Sequence, residues 1–215
     1  MIEVVLPPPV AVAERFDDTE PVTLYAEEAA AVSRAVPKRR QEYATVRLCA
    51  REALAAIGVP PVPLVPGERG APAWPAGVVG SMTHCAGYRA AAVARAADVA
   101  ALGVDAEPDL PLPDGVRDLV ASADELAALP AAGGPCWERL LFCAKEALYK
   151  AWFPLTRRWL DFTEAEVRIA PDGTFTARVT VPGARLGGRV LTGFDGRWHA
   201  AGGLLLAAVV VPPPT

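Results

Sequence analysis

Residues Trp137–Trp152 read WERLLFCAKEALYKAW, and the way this stretch folds decides how the rest of the chain is arranged around it. Setting each residue about 100° around a helix axis gathers Trp137, Leu140, Leu141, Ala144, Ala147, Leu148 and Ala151 into one apolar stripe. The stretch is therefore expected to be an amphipathic helix with that stripe in the core. Its other face carries Glu138, Phe142, Glu146, Tyr149 and Lys150, with Lys145 at the margin. Glu146 and Lys150, four residues apart in the favourable order, read by themselves as a surface ion pair worth about 0.3–0.5 kcal/mol. A phenylalanine beside them is unusual on a solvated face, so the face has to be judged by what the rest of the chain brings to it.

The chain has 215 residues, 52% of them hydrophobic, enough for one large domain or two small ones sharing a core. Cys49, Cys85, Cys136 and Cys143 form neither a CxxC pair nor a Cys/His ligand pattern, and no secretory leader is recognisable. Reduced thiols in a cytoplasmic protein are the expectation. The apolar run Leu204–Val211 falls well short of the ~20 residues of a spanning helix and reads as a buried strand. A formal charge of −4 argues against a general binder of nucleic acid or anionic membrane. An anionic small molecule would need a local basic cluster, and Arg34, Lys38, Arg39, Arg40, Arg47 and Arg51 supply one opposed only by Glu42. The other reading of that cluster is a solvated helix face.

In chain order, Met1–Leu6 reads as a strand closed by Pro7–Pro9 and Glu20–Ala35 as an Ala-rich helix. Pro37 to about Ile57 reads as a second helix, with proline in its first turn and Gly58 beyond its end. Pro60–Gly77, rich in Pro and Gly, is expected to be a structured loop. Val78–His84, Tyr88–Arg95 and Val99–Glu107 follow as a three-strand meander turning at Cys85–Gly87 and Ala96–Asp98. The third strand is apolar on both faces and should be covered on both. A short helix at Ala123–Leu129 precedes the helix at Trp137, after which Pro154 and the basic pair Arg157–Arg158 open a loop. Thr163–Ala170, Thr174–Val181 and Arg197–Val211 read as strands with tight turns at Asp172–Gly173 and Asp195–Gly196. Helices followed by three strands, twice over, predict an α+β fold of two similar halves, residues 1–108 and 109–215.

Asp105 and Glu107 stand two apart in the third strand. Both therefore project from the face of Val99, Ala101 and Gly103, about 6–7 Å apart along the chain. They mark the end of a buried strand, where sheets of this kind open a ligand crevice, and buried acids there need a cationic partner. A nearby arginine would serve, and so would Mg²⁺, which takes oxygen ligands and leaves positions for water and phosphate. With Glu146 as a third acid and Lys145 and Lys150 as ammonium groups, the parts for phosphoryl transfer are present.

At this point the residues resemble a family. Gly103-Val104-Asp105-Ala106-Glu107 and Trp137…Phe142-Cys143-Ala144-Lys145-Glu146-Ala147…Lys150 resemble the two signature motifs of 4′-phosphopantetheinyl transferases of the surfactin-synthetase type. Trp74-Pro75…Gly80-Ser81-Met82-Thr83-His84-Cys85-Ala86-Gly87-Tyr88 and Lys38-Arg39-Arg40…Glu42-Tyr43…Arg47…Ala50-Arg51 are similar to its enterobactin-synthase-component and mycobacterial-type branch. The resemblance spans about Pro37 to Trp159. It implies transfer of the 4′-phosphopantetheine moiety of coenzyme A to a serine of an apo acyl or peptidyl carrier protein, with release of adenosine 3′,5′-bisphosphate. It also implies a cytoplasmic monomer of two pseudo-symmetric halves with coenzyme A in the cleft between them. Fatty-acid, polyketide and nonribosomal-peptide carriers all fit this reading.

By position, Asp105, Glu107 and Glu146 match the family's Mg²⁺ ligands, with Mn²⁺ as the other ion. Glu146, or a water it holds, matches the base for the carrier serine, and Lys150 the lysine that stabilises charge on the pyrophosphate. Lys145, Arg39 and Arg47 match groups that bind coenzyme A phosphates, and Thr83 and His84 match contacts to the 3′-phosphate. Where related sequences place a lysine before the Trp-Pro motif, Arg69 is the local substitute at a shifted position. His84 alone would read as a packed histidine, as His199 does. Phe153, Trp159 and Phe162 read as core or as walls for the pantetheine arm. Ser122–Leu129 and Arg157–Arg158 are the expected docking places for an acidic carrier. Two rival readings use the same residues: a metal-dependent nucleotide or coenzyme A phosphohydrolase, and a non-catalytic coenzyme A-binding module. The presence of both Glu146 and Lys150 speaks against the second.

Overall fold

Antiparallel strands and two long helices organise the chain. The computed structural model describes residues 1–131 and 133–214. Its first part contains β1 (Ala11–Arg15), α1 (Ala26–Ala31), α2 (Pro37–Ala56), β2 (Val78–Cys85), β3 (Tyr88–Arg95) and β4 (Ala101–Pro108). Then come the short helices α3 (Arg117–Val120) and α4 (Ala123–Ala127), and the long α5 (Trp137–Thr156). The strands β5 (Ala165–Ile169), β6 (Thr174–Val179), β7 (Ala184–Leu186), β8 (Arg189–Leu191), β9 (Gly193–Ala201) and β10 (Leu204–Val211) complete it. One sheet has the order β1-β3-β2, a second the order β4-β10-β9-β6-β5, and β7-β8 form a separate hairpin. A long helix covers each large sheet, α2 the first and α5 the second, which is the expected α+β architecture. No described helix is long and apolar enough to cross a membrane.

The expected three-strand meander does not form. β2 and β3 pair as a hairpin, but β4 leaves them and pairs with β10, from Ala101 opposite Val211 to Pro108 opposite Leu204. Both strands are apolar on both faces, and pairing them puts them where both faces are covered, by α5 on one side and by the packing of β3 and the N-terminal turn on the other. β4 precedes residue 109 in the chain and is hydrogen-bonded into the sheet built by the strands that follow it. β2 nevertheless runs beside β4. The Ser81 hydroxyl accepts the Val104 N–H at 3.0 Å and the Thr83 hydroxyl accepts the Ala106 N–H at 3.0 Å. Two side-chain oxygens thus stand where a strand partner's carbonyls would be, and join the two sheets.

α5 buries the stripe read from the sequence: Leu140, Leu141, Ala144, Ala147, Leu148 and Ala151 are all buried. It lies directly against β4. A Cβ on Gly103 would stand 2.0 Å from the Ala147 carbonyl oxygen and 2.6 Å from the Ala151 nitrogen, so only glycine allows this approach. The helix also runs past Pro154, contrary to expectation, because a proline in the last turn forfeits only one backbone bond. It ends at Arg157, which adopts a left-handed conformation and donates its N–H to the Phe153 carbonyl.

Other expectations need correction. Met1–Leu6 is not a strand. Ile2–Val5 form a 3₁₀ turn that puts Ile2 and Val5, three residues apart, into one core. The helix expected over Glu20–Ala35 shrinks to α1. Asp172–Gly173 does turn, with the Thr174 N–H donating to the Asp172 carboxylate at 3.0 Å. Asp195–Gly196 does not: it lies inside β9, and Gly196 faces Phe175, whose ring stands 2.1 Å from where a Cβ would be. The turn falls instead at Gly202–Gly203, both with positive φ.

Candidate active site

Strand periodicity puts Asp105 and Glu107 on the face of β4 that α5 covers, and helix periodicity puts Arg139, Glu146 and Lys150 on the side of α5 that meets them. Beside this junction a cleft of about 720 Å³ opens between α2, the 67–74 loop, β2 and the C-terminal part of α5. Arg39, Arg47, Arg69, Thr83, His84, Glu146 and Lys150 all line it.

Asp105 is buried. Its Oδ1 accepts from Lys150 Nζ at 2.7 Å and from the Thr83 hydroxyl at 3.1 Å, while its Oδ2 is buried without a hydrogen-bond partner among the described residues. Lys150 also donates to the carbonyls of Val104 at 3.1 Å and Met82 at 3.3 Å, so the ammonium staples β2 to β4. Burial works against its charge, but the Asp105 and Glu146 carboxylates outweigh it and hold the ammonium above the ordinary lysine value. Glu107 accepts from Arg139 at 2.9 Å. Burial, and then the Asp105 charge, push its carboxyl up to about 7 despite Arg139. Glu146 is half-buried. Burial and the neighbouring Asp105 raise its proton affinity against the pull of Lys150, with no hydrogen bond to any described residue contributing.

Two carboxyls of raised proton affinity, Glu107 and Glu146, beside a buried Asp105 oxygen that has no partner among the described residues, are a donor set that a cation would complete. An all-oxygen set suits a hard divalent ion. The side chains do not close into a cage: among the described residues no three His, Cys, Asp or Glu side chains converge on one point. Lys150 holds Asp105 and Arg139 holds Glu107 in that arrangement.

The opposite wall is cationic. Arg47 is buried, donates from Nε to the Leu64 carbonyl at 3.1 Å and lies 3.6 Å over the Tyr43 ring. It has no carboxylate partner among the described residues, and burial, more than any other cause, lowers its proton affinity. Arg39 contacts His84 and lies 3.6 Å from Glu42. Burial, and then the Arg39 charge, lower the His84 pKa to about 4, which leaves the imidazole neutral at physiological pH. Two other arginines of the basic cluster are engaged elsewhere: Arg40 donates to the Ser33 and Ala35 carbonyls, and Arg51 pairs with buried Glu28.

Residues 27–94 match the family profile described as the 4′-phosphopantetheinyl transferase N-terminal domain, and residues 101–205 match the 4′-phosphopantetheinyl transferase superfamily. The 4′-phosphopantetheinyl transferase Svp of Streptomyces mobaraensis is 58% identical over 213 residues, covering 95% of this chain and 87% of that protein. The chain belongs to the 4′-phosphopantetheinyl transferase superfamily. PptT of Mycobacterium tuberculosis is 48% identical over 202 residues, 91% of this transferase and 89% of PptT. Npt of Nocardia iowensis is 47% identical over 215 residues, 95% and 97% of the two chains. The two matched segments meet between β3 and β4, where the sheet changes.

Several residues of this transferase stand differently from what its motifs imply. Lys145 is not in the cleft. Its buried ammonium donates to the Val120 and Phe162 carbonyls, each at 2.8 Å, and to Glu125 at 2.9 Å, because a buried charge takes the nearest complete set of acceptors. Thr83 lines the cleft, but its hydroxyl proton goes to Asp105 and its oxygen accepts the Ala106 N–H, so the hydroxyl is spent inside the protein. Arg69 is in place at the cleft, in a left-handed conformation, with its guanidinium 5.4 Å over the Trp159 ring. Arg139 was missed from the sequence. It binds Glu107 and the Leu110 and Pro111 carbonyls at 3.1 and 3.2 Å. Its position seven residues before Glu146, two turns along one helix face, was the available signal. Tyr149, placed by the sequence on the face of Glu146 and Lys150 but given no role there, has a buried hydroxyl with no partner among the described residues, and its ring packs with Phe153 and Trp159.

Proposed function

We propose that this transferase moves the 4′-phosphopantetheine arm of coenzyme A to a serine of an apo acyl or peptidyl carrier protein, releasing adenosine 3′,5′-bisphosphate. In this reading Asp105, Glu107 and Glu146 hold Mg²⁺, or Mn²⁺ in its place. The observation that carries it is the partnerless buried oxygen of Asp105, set where carboxylates from β4 and α5 meet. The ion supplies stabilisation of negative charge on the pyrophosphate. Glu146, which makes no hydrogen bond to any described residue, or a water it holds, accepts the serine proton. Lys150 pairs with Asp105 and stands beside the phosphates. Arg47 and Arg39 receive phosphate oxygens of coenzyme A through charge-assisted bonds, with neutral His84 beside them and Arg69 at the rim. Residues 1–108 thus bring the phosphate-binding wall and the strand acids, and residues 109–215 bring the catalytic helix. The protein acts as a cytoplasmic monomer.

Incubation with coenzyme A, Mg²⁺ and an apo carrier, followed by intact-mass measurement, tests the reaction. The carrier should gain one phosphopantetheine for each bisphosphate released. Turnover of coenzyme A without a carrier, and no adduct with one, would replace the reading by a phosphohydrolase.

Arg47→Met should raise KM for coenzyme A by about tenfold or more and leave kcat near that of the parent, since it removes a charge-assisted contact worth about 1.5–3 kcal/mol. Comparing coenzyme A with dephospho-coenzyme A locates the contact. If the preference between them is unchanged in the variant, Arg47 does not serve the 3′-phosphate.

A further inference from the structure

Lys145 sits next to Glu146 in the chain, and its ammonium lies among groups that belong wholly to the second half. Both Lys145 and Glu125 are 3% exposed. Glu125 is saturated: besides Lys145 it accepts the Ser122 N–H at 2.9 Å and the Val167 N–H at 2.9 Å. The pair therefore ties α5 to the end of α3 at Val120, to the capped turn of α4, to Phe162 and to β5 at Val167. None of these groups lines the cleft.

Consecutive helical residues point about 100° apart. Whatever fixes the direction of Lys145 fixes that of Glu146. The packed stripe alone holds this less firmly, because opposite Gly103 it presents Ala147 and Ala151, short side chains that index the rotation weakly; Lys150 and Arg139 also tie this face to β4, but through acids that belong to the cation site itself. Glu146 itself has no hydrogen bond to any described residue that would hold it.

We propose that the buried Lys145–Glu125 pair is a positioning device that sets the rotation of α5 and so aims Glu146 at Asp105, and that Lys145 does not touch coenzyme A. The inference rests on Glu146 being the acid that serves transfer.

The test compares Lys145→Met, Glu125→Gln and the double variant Lys145→Met/Glu125→Gln, with the parent enzyme on the same apo carrier as reference. Each single variant strands one buried polar partner. Each should lower kcat by about tenfold or more, because small misplacements of a reacting group are expensive, while KM for coenzyme A stays within about twofold of the parent. The double variant removes both charges together while the amide at 125 still offers an oxygen to the Val167 N–H, so it should recover part of kcat and of the melting temperature relative to Lys145→Met. A rise of about tenfold in KM for coenzyme A in Lys145→Met, with Glu125→Gln like the parent, would overturn the proposal in favour of a phosphate contact. A lowered melting temperature with unchanged kcat in both single variants would overturn it in favour of a purely structural pair. Should Lys145→Met not fold, the double variant decides alone: a parent-like KM with recovered kcat supports the proposal, and a tenfold rise in KM or an unrecovered kcat defeats it. Inactivity of the parent enzyme would instead remove the functional reading on which all this rests.

Discussion

Glu146→Gln is expected to lower the rate of phosphopantetheine transfer by about 10³-fold without disturbing the fold. The substitution keeps the side chain's size and removes its charge and basicity. Burial and the like-charged Asp105 disfavour that charge more than Lys150 favours it, and Glu146 makes no hydrogen bond to any described residue. Loss of the carboxylate relieves repulsion in the half-buried site, so the melting temperature of the metal-free variant should equal or exceed that of the parent. Two steps fail together, because the serine loses its proton acceptor and the metal one of its three acids. Transfer measured with an apo carrier at saturating coenzyme A reads the effect. Activity within a few-fold of the parent would take Glu146 out of the site.

The second large effect is structural in origin. Gly103→Val should destabilise the protein by about 3 kcal/mol or abolish folding. The new side chain begins 2.0 Å from the Ala147 carbonyl oxygen and 2.6 Å from the Ala151 nitrogen, both helix backbone atoms in a buried interface. Backbone cannot step aside as a flexible side chain would, so α5 must lift from β4. That movement carries Glu146 and Lys150 away from Asp105, and the ion pair at 2.7 Å breaks with it. Urea denaturation gives the stability change, and transfer by the fraction that remains folded gives the functional one. A parent-like midpoint would mean that the helix does not rest on the strand as described.

Features governed by local periodicity were legible in the sequence. The stripe Leu140, Leu141, Ala144, Ala147, Leu148 and Ala151 follows from a helical repeat, and the shared face of Asp105, Glu107 and Gly103 from a strand repeat. Both survive because each depends only on residues close in the chain. The partner of β4 was not legible, since β3 and β10 are both apolar enough to pair with it and nothing local marks the choice. Asp195–Gly196 misled for a related reason: the pair favours a tight turn in isolation, but in β9 the glycine is there to make room for Phe175, which is distant in sequence.

At the site the same division holds. That Asp105, Glu107, Glu146 and Lys150 belong together could be read from spacing and from the family's motifs. Where Lys145 points could not, because it sits at the margin of the helix face and its direction is decided by Glu125 from another element. The hydroxyl of Thr83 likewise has its fate set by β4, which the sequence reading placed in a different sheet arrangement. Arg39 and Arg47 were separable from Arg40 and Arg51 only once the carbonyls of Ser33 and Ala35 and the carboxylate of Glu28 were seen to claim the latter pair.

The central claim is that one hard cation completes a site built from Asp105, Glu107 and Glu146. Glu107 titrates near about 7 in the metal-free protein, above its ordinary value of 4.5. The folded state therefore binds the proton more tightly than the unfolded chain. Its penalty grows as pH rises from 4.5 towards 7 and is fully present above 7, and a cation that binds the ionised group relieves it. The most direct measurement is the Mg²⁺-dependent shift in melting temperature at saturating coenzyme A, at about pH 8 and about pH 5.5, for the parent and for Asp105→Asn. The account expects a stabilising shift in the parent that is clearly larger at the higher pH, and little or none in the variant. A shift of the same size in both proteins, or one that grows as pH falls, would contradict it.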